Sequence, residues 1–221
     1  MAVRWIDLSQ PMYNGMPRAG LLGDPRLAPR QIDIGQPDMT IQITDCSFAT
    51  HTGTHVDAPL HFFPGSKALD DYPVDAFVGP GVLLRVSKEP FGVISEEDLA
   101  SSGEEVRRGD IVLIRTGWGA RYGEPDYETS PSLGEDAARW LVERGAKIVG
   151  VDTLTPEFAY PKRPKGYSFP IHRILLGHGI LIIEHLNLER LQVTRMTVAA
   201  FPLPIKGADG APARVVAMVE E

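Results

Sequence analysis

Apolar and polar positions along this chain follow two periods. Residues 41–48 alternate loosely, which predicts a strand. Residues 81–86, 110–116, 147–152 and 179–184 are short apolar runs closed by turn residues, as buried strands are. Residues 196–203 and 215–219 predict two more strands. Between them lie helical signals. Ser95 followed by Asp98 looks like a capping box opening a short helix, and Ser132 followed by Glu135 looks like a second. Behind the second, Ala137, Ala138, Leu141 and Val142 make an apolar face, and Gly145 supplies the stop. Residues 168–177 carry a cap at Ser168, an early Pro170 and a terminal Gly177, the pattern of a short helix. The first fifty residues, with Pro11, Pro17, Pro25, Pro29 and Pro37, read as loops with short strands. Strands that alternate with helices in the middle and cluster at both ends predict an α/β fold, a mixed-sheet single domain over residues 1–221.

Composition narrows the partners. The net charge of −7, with no basic run, argues against nucleic acid. No apolar run is long enough to span a bilayer, and the N-terminus has neither the cationic nor the apolar region of a signal peptide. The single cysteine, Cys46, has no partner for an internal disulfide, which suits a cytoplasmic protein, and it is expected to be a packed thiol.

The candidate chemistry is concentrated. Of six histidines, His51, His55 and His61 fall within eleven residues, together with Asp57 and around Gly53. The β-branched Thr52, Thr54 and Val56 disfavour a helix here. In an extended chain His55 and Asp57 share a face about 6.6 Å apart, close enough to share a divalent ion. His51 and His55 would be about 13 Å apart in a straight strand, too far for two imidazoles to hold one ion. A common site therefore requires a bend, which Gly53 permits. Pro59 ends regular pairing, and His61 beyond it approaches from another angle. A second stretch offers His172, His178, Glu184 and His185. Glu184 closes an apolar run, where a carboxylate is costly unless a cation meets it. His172 is the best imidazole partner for it. His178, between two glycines, reads as a loop residue, and His185 as a hydrogen-bonded or solvated neighbour of Glu184. No Gly-x-Ser-x-Gly elbow is present, which excludes the common serine hydrolase pattern.

Residues 51–62, His-Thr-Gly-Thr-His-Val-Asp-Ala-Pro-Leu-His-Phe, resemble the defining motif of the metal-dependent cyclase family, which includes bacterial kynurenine formamidases and isatin hydrolases. The segment beginning Asp7-Leu-Ser, residues 115–118 and 149–152, and the spacing of His172 and Glu184 are similar as well. The resemblance implies a swivelling β/β/α domain in homodimers or homotetramers. It implies a metal on His51, His55 and Asp57, with Asp57 and Glu184 bridging to a second metal on His172, and His61 as proton donor and acceptor. Zinc is the first choice of ion and manganese the second. Two departures stand out. Gly53-Thr54-His55 stands where formamidases tend to have Gly-Ala-His. Arg18 stands about where formamidases carry a substrate-contacting aromatic, and it would suit a substrate carboxylate. The expected activity is metal-dependent hydrolysis of an aryl formamide or a related small-molecule amide. Opening of a cyclic amide or lactone, as in isatin hydrolases, is one alternative, and a metal-containing small-acid binding protein without catalysis is another.

Overall fold

A computed structural model of the chain describes residues 2–36, 39–102 and 105–220. Pro37 lies outside them. The main sheet has eight strands: β1 (Val3–Asp7), β4 (His55–Asp57), β5 (Val78–Arg85), β7 (Ile111–Arg115), β9 (Ile148–Val151), β10 (Leu181–Glu184), β11 (Arg195–Pro202) and β12 (Gly210–Glu220). Their order is β1-β12-β11-β5-β7-β9-β10-β4. β4 also pairs with β12, so the sheet closes on itself and leaves only β1 outside the ring. β5, β7, β9 and β10 run parallel, and the remaining pairs are antiparallel. The predicted mixed α/β domain is present, with a barrel-like closure that the strand pattern does not announce.

The apolar runs work because both faces of the sheet are covered. Alternate residues such as Leu83, Leu113, Ile183, Val198 and Val215 fill the interior of the ring. Their neighbours Val82, Leu84, Val112, Ile114 and Ile182 face a layer of three helices, α1 (Glu96–Ala100), α2 (Glu135–Arg144) and α3 (Pro170–Gly177). Burying each such Leu or Ile contributes about 1.5–3 kcal/mol.

The helix ends divide. Ser95 caps α1 as expected, accepting from the Asp98 N–H while the Asp98 carboxylate accepts from the Ser95 N–H. Gly145 ends α2 in the left-handed conformation, also as expected. Ser132, however, is no cap. With Leu133 it forms β8 (Ser132–Leu133), which pairs in parallel with β6 (Val93–Ile94), and Gly134 holds the N-cap position. The pairing uses the backbone that a cap would have needed. Ser168 is not the cap of α3 either. Phe169 takes that place, because Pro170 at the first helical position disfavours a helical conformation in the residue before it; its φ is 53°.

The N-terminal region corrects a further expectation. The strand expected at residues 41–48 is present as β3 (Met39–Ser47), but it pairs with a long β2 (Arg26–Gln36) in an antiparallel ribbon where loops with short strands were expected. Both strands are edges, so Pro29 is tolerated. The ribbon is open on both sides, and Cys46, expected to be packed, is exposed on it. Among the described residues no helix is long and apolar enough to cross a membrane.

Candidate metal centre

The site is built where β4 slots between β10 and β12. Residues 51–54 turn sharply before β4 begins. Gly53 carries φ +65°, and a Cβ there would lie 3.0 Å from the Met16 side chain. The bend brings the His51 and His55 rings to 5.1 Å between centroids. Within β4, His55 and Asp57 share one face while Val56 points into the ring core. The antiparallel register sets His55 opposite Glu184 and Asp57 opposite Gly210. His172 arrives from the first turn of α3.

The donor atoms converge. His51 Nδ1 lies 2.6 Å from Asp57 Oδ1, and His55 Nε2 lies 3.1 Å from the same oxygen and 3.5 Å from Glu184 Oε2. His172 Nε2 is 3.3 Å from Glu184 Oε1 and 3.6 Å from Asp57 Oδ2. His51, His55 and Asp57 form one group whose candidate ligand atoms lie within 4.8 Å of one another, and Asp57, His172 and Glu184 form a second.

The surroundings favour a cation there. His55 Nδ1 donates to the Gly53 carbonyl at 2.7 Å, which turns the lone pair of Nε2 toward the carboxylates. Glu157 does the same for His172. It is fully buried, and one carboxylate oxygen accepts from both the backbone N–H and the Nδ1–H of His172, at 2.8 and 2.9 Å. Two imidazole lone pairs thus face two carboxylates, which is unfavourable without positive charge between them. His55 Nε2 and Glu184 Oε1 are buried without a hydrogen-bond partner. Without a cation between them, the same carboxylates draw protons onto the rings instead. Burial disfavours protonation of His172, yet the adjoining carboxylates of Asp57, Glu157 and Glu184 hold it well above its ordinary value. His51 is likewise held up to about 10, against burial, by Asp57 and Asp209. The N/O donor set fits a divalent transition metal.

The centre forms the floor of a cavity of about 170 Å³, with Leu21, Leu22, Phe62, Leu154 and Phe169 among its walls. His61, at the end of a short turn of helix begun by Pro59, also lines it. Its ring stacks 3.9 Å from that of His51, and burial lowers its basicity. Arg18 pairs with Asp24 at 2.6 Å; its neighbour Ala19 lines the cavity. His178 stands apart, bonded to the Ile174 carbonyl. His185 is buried and bonded to the Tyr127 hydroxyl at 3.1 Å, and burial lowers its pKa to about 3.

Two carboxylates here escaped the sequence reading. Asp209 accepts from His51 Nε2 at 2.8 Å, His61 Nδ1 at 3.1 Å and the Thr50 hydroxyl at 3.0 Å. In the sequence it lies between Gly207 and Gly210, where an aspartate reads as an ordinary turn residue. Glu157 has no periodic or motif signal at all.

A closed mixed sheet with one helical layer, carrying three imidazoles and two carboxylates to the floor of an apolar cavity, defines an α/β domain built around a divalent-cation site. The model of the family described as "Putative cyclase" matches residues 6–157, and the chain belongs to that cyclase family. A kynurenine formamidase of Bacillus cereus is 32% identical over 214 residues, 96% of each chain. Isatin hydrolase A from Labrenzia aggregata superposes with a TM-score of 0.86 at 30% identity, covering 99% of this chain and 94% of that one. A predicted metal-dependent hydrolase from Bacillus stearothermophilus gives 0.80 at 30% identity, covering 99% of both.

Proposed function

We propose that this protein is a metal-dependent amidohydrolase that cleaves a carbon–nitrogen bond outside peptides, in an aryl formamide or a related small aryl amide. The observation that carries this reading is the convergence of His51, His55, Asp57, His172 and Glu184 beside His61 at the floor of an apolar cavity. These five residues would hold one or two divalent ions, zinc first and manganese as the alternative. When bound, such an ion polarises a carbonyl and acidifies water at neutral pH.

The protein's own groups do the rest. Phe62, Leu154 and Phe169 pack an aryl ring and keep bulk water off the reacting carbonyl. Asp209 holds the Nδ1–H of His61, which leaves Nε2 free to exchange protons. His61 takes the proton of the attacking water as the C–O bond forms. It then passes that proton to the nitrogen as the C–N bond breaks, giving an acid and an amine. Glu157 keeps the His172 ring oriented throughout.

Opening of a cyclic aryl amide, the reaction class an isatin hydrolase suggests, is a second reading with its own support. The cavity walls are apolar and carry no Lys or Arg among the described residues, so a compact neutral ring fits them. Arg18, proposed as a contact for a substrate carboxylate, is held by Asp24 next to the cavity wall at Ala19. We further infer a cytoplasmic homodimer or homotetramer. The unpaired Cys46 supports the compartment, and the open β2–β3 ribbon supports a neighbour that covers it. Sedimentation at micromolar concentration giving a monomer would remove the assembly. The decisive experiment loads the protein with zinc or manganese, measures bound metal, and assays formanilide and isatin. Turnover of either is expected. Full metal occupancy with neither substrate hydrolysed would leave a binding protein instead.

A further inference from the structure

We propose that His185 is the hydrogen-bond donor to the carbonyl oxygen of the scissile amide, with Tyr127 fixing the imidazole tautomer that makes it one. This rests on the hydrolase reading above and adds to it a residue outside the metal-ligand set.

Neighbouring residues of a strand point to opposite faces. Glu184 and His185 are neighbours, yet both line the same cavity. The cause is the backbone. His185 is the first residue beyond β10 and has φ 57°, a left-handed conformation that is costly for a non-glycine residue. The turn swings its ring from the far face to the cavity. Three bonds hold it there: His185 N–H to the Thr153 carbonyl at 3.0 Å, the Thr54 hydroxyl to the His185 carbonyl at 2.6 Å, and Leu186 N–H to the Val151 carbonyl at 3.0 Å. A residue kept in a strained conformation by its surroundings points to use of its side chain.

The tautomer follows from Tyr127. Its hydroxyl is buried and meets, among the described residues, one partner, His185 Nδ1. A buried phenol that donated nowhere would forfeit the hydrogen bond it makes in water. The phenol proton therefore goes to Nδ1, and the imidazole proton sits on Nε2. Among the described residues no protein group accepts from that Nε2–H. The ring lies 6.1 Å from that of His55, and His51, whose own ring is 5.1 Å from that of His55, stacks on His61. A neutral donor fixed beside the centre is suited to an oxygen on which negative charge develops during attack. His61 moves the proton while His185 holds the oxygen.

The test has two arms. Nitrogen-15 NMR of the His185 ring should show a neutral imidazole with its proton on Nε2, in the wild type with and without zinc. A proton on Nδ1 overturns the proposal whatever the activity. In the second arm, kinetics use whichever of formanilide and isatin the zinc enzyme hydrolyses. His185→Ala should keep its metal and lose about 10²-fold in kcat, with KM little changed. His185→Gln, which retains an N–H donor, should recover part of the loss. An unchanged kcat, a loss confined to KM, or a loss of metal each overturns it. If the wild type hydrolyses neither substrate, the hydrolase reading fails by itself. The donor is then judged by the His185 Nε2 resonance, which must move when formanilide is added.

Discussion

At the scale of single residues, the proposed function separates groups that would hold charge from groups that would move it. His55 and His61 are the sharpest contrast. His55 is sealed among carboxylates, whereas His61 sits beyond Pro59 with one nitrogen on Asp209 and a ring lining the cavity. His61→Ala is expected to keep its metal and fold but lose about 10²–10⁴ in turnover. His55→Ala is expected to lose metal. Metal analysis beside steady-state rates separates the two, and a metal-free His61→Ala would refute the division. Glu157 acts one step further out. Glu157→Gln keeps the size and loses the charge that orients His172, so zinc affinity should fall about 10–100-fold, read by chelator competition. Sequence made part of this legible. The His-rich motif shows its candidate ligands because they are close along the chain and of rare type. Asp209 and Glu157 were invisible because each is an ordinary acidic residue until strand register or helix position brings it to an imidazole.

At the scale of elements, the strands were readable because burial on both faces leaves continuous apolar runs, as in β7 and β10. The capping boxes show the limit of a local pattern. Ser95 and Ser132 each stand three residues before an acidic residue, but only Ser95 has a free backbone to cap with. Ser95→Ala should therefore cost about 0.5–2 kcal/mol of stability. Ser132→Ala should show no loss of a cap. Denaturant melts of both variants check this, and equal costs would contradict it. Of the β2–β3 ribbon, alternation shows β3 but not β2, for a different reason. Pro29 signals a loop, and nothing local reveals that a two-stranded ribbon without a neighbouring sheet can accept it.

At the scale of the whole molecule, β4 is three residues long and pairs on both sides, with β10 through Glu184 and with β12 through Gly210. The approach is close enough that a Cβ on Gly210 would lie 2.6 Å from the His51 ring. These partners are far away along the chain, so β4 acts as the clasp of the ring. That arrangement sets an order of events. Contacts between distant segments carry the largest loop-closure cost and tend to be won late in folding. The five candidate ligands meet only once the clasp is shut, so an ion has nothing to template while the chain is still searching. Zinc should therefore leave the refolding rate nearly unchanged and slow unfolding, which stopped-flow chevrons with and without the ion can measure. Refolding that accelerates with zinc would mean that the clasp closes early. With the expected result, the ion acts as a latch on a finished structure, and its stabilising effect appears as a longer lifetime of the folded protein.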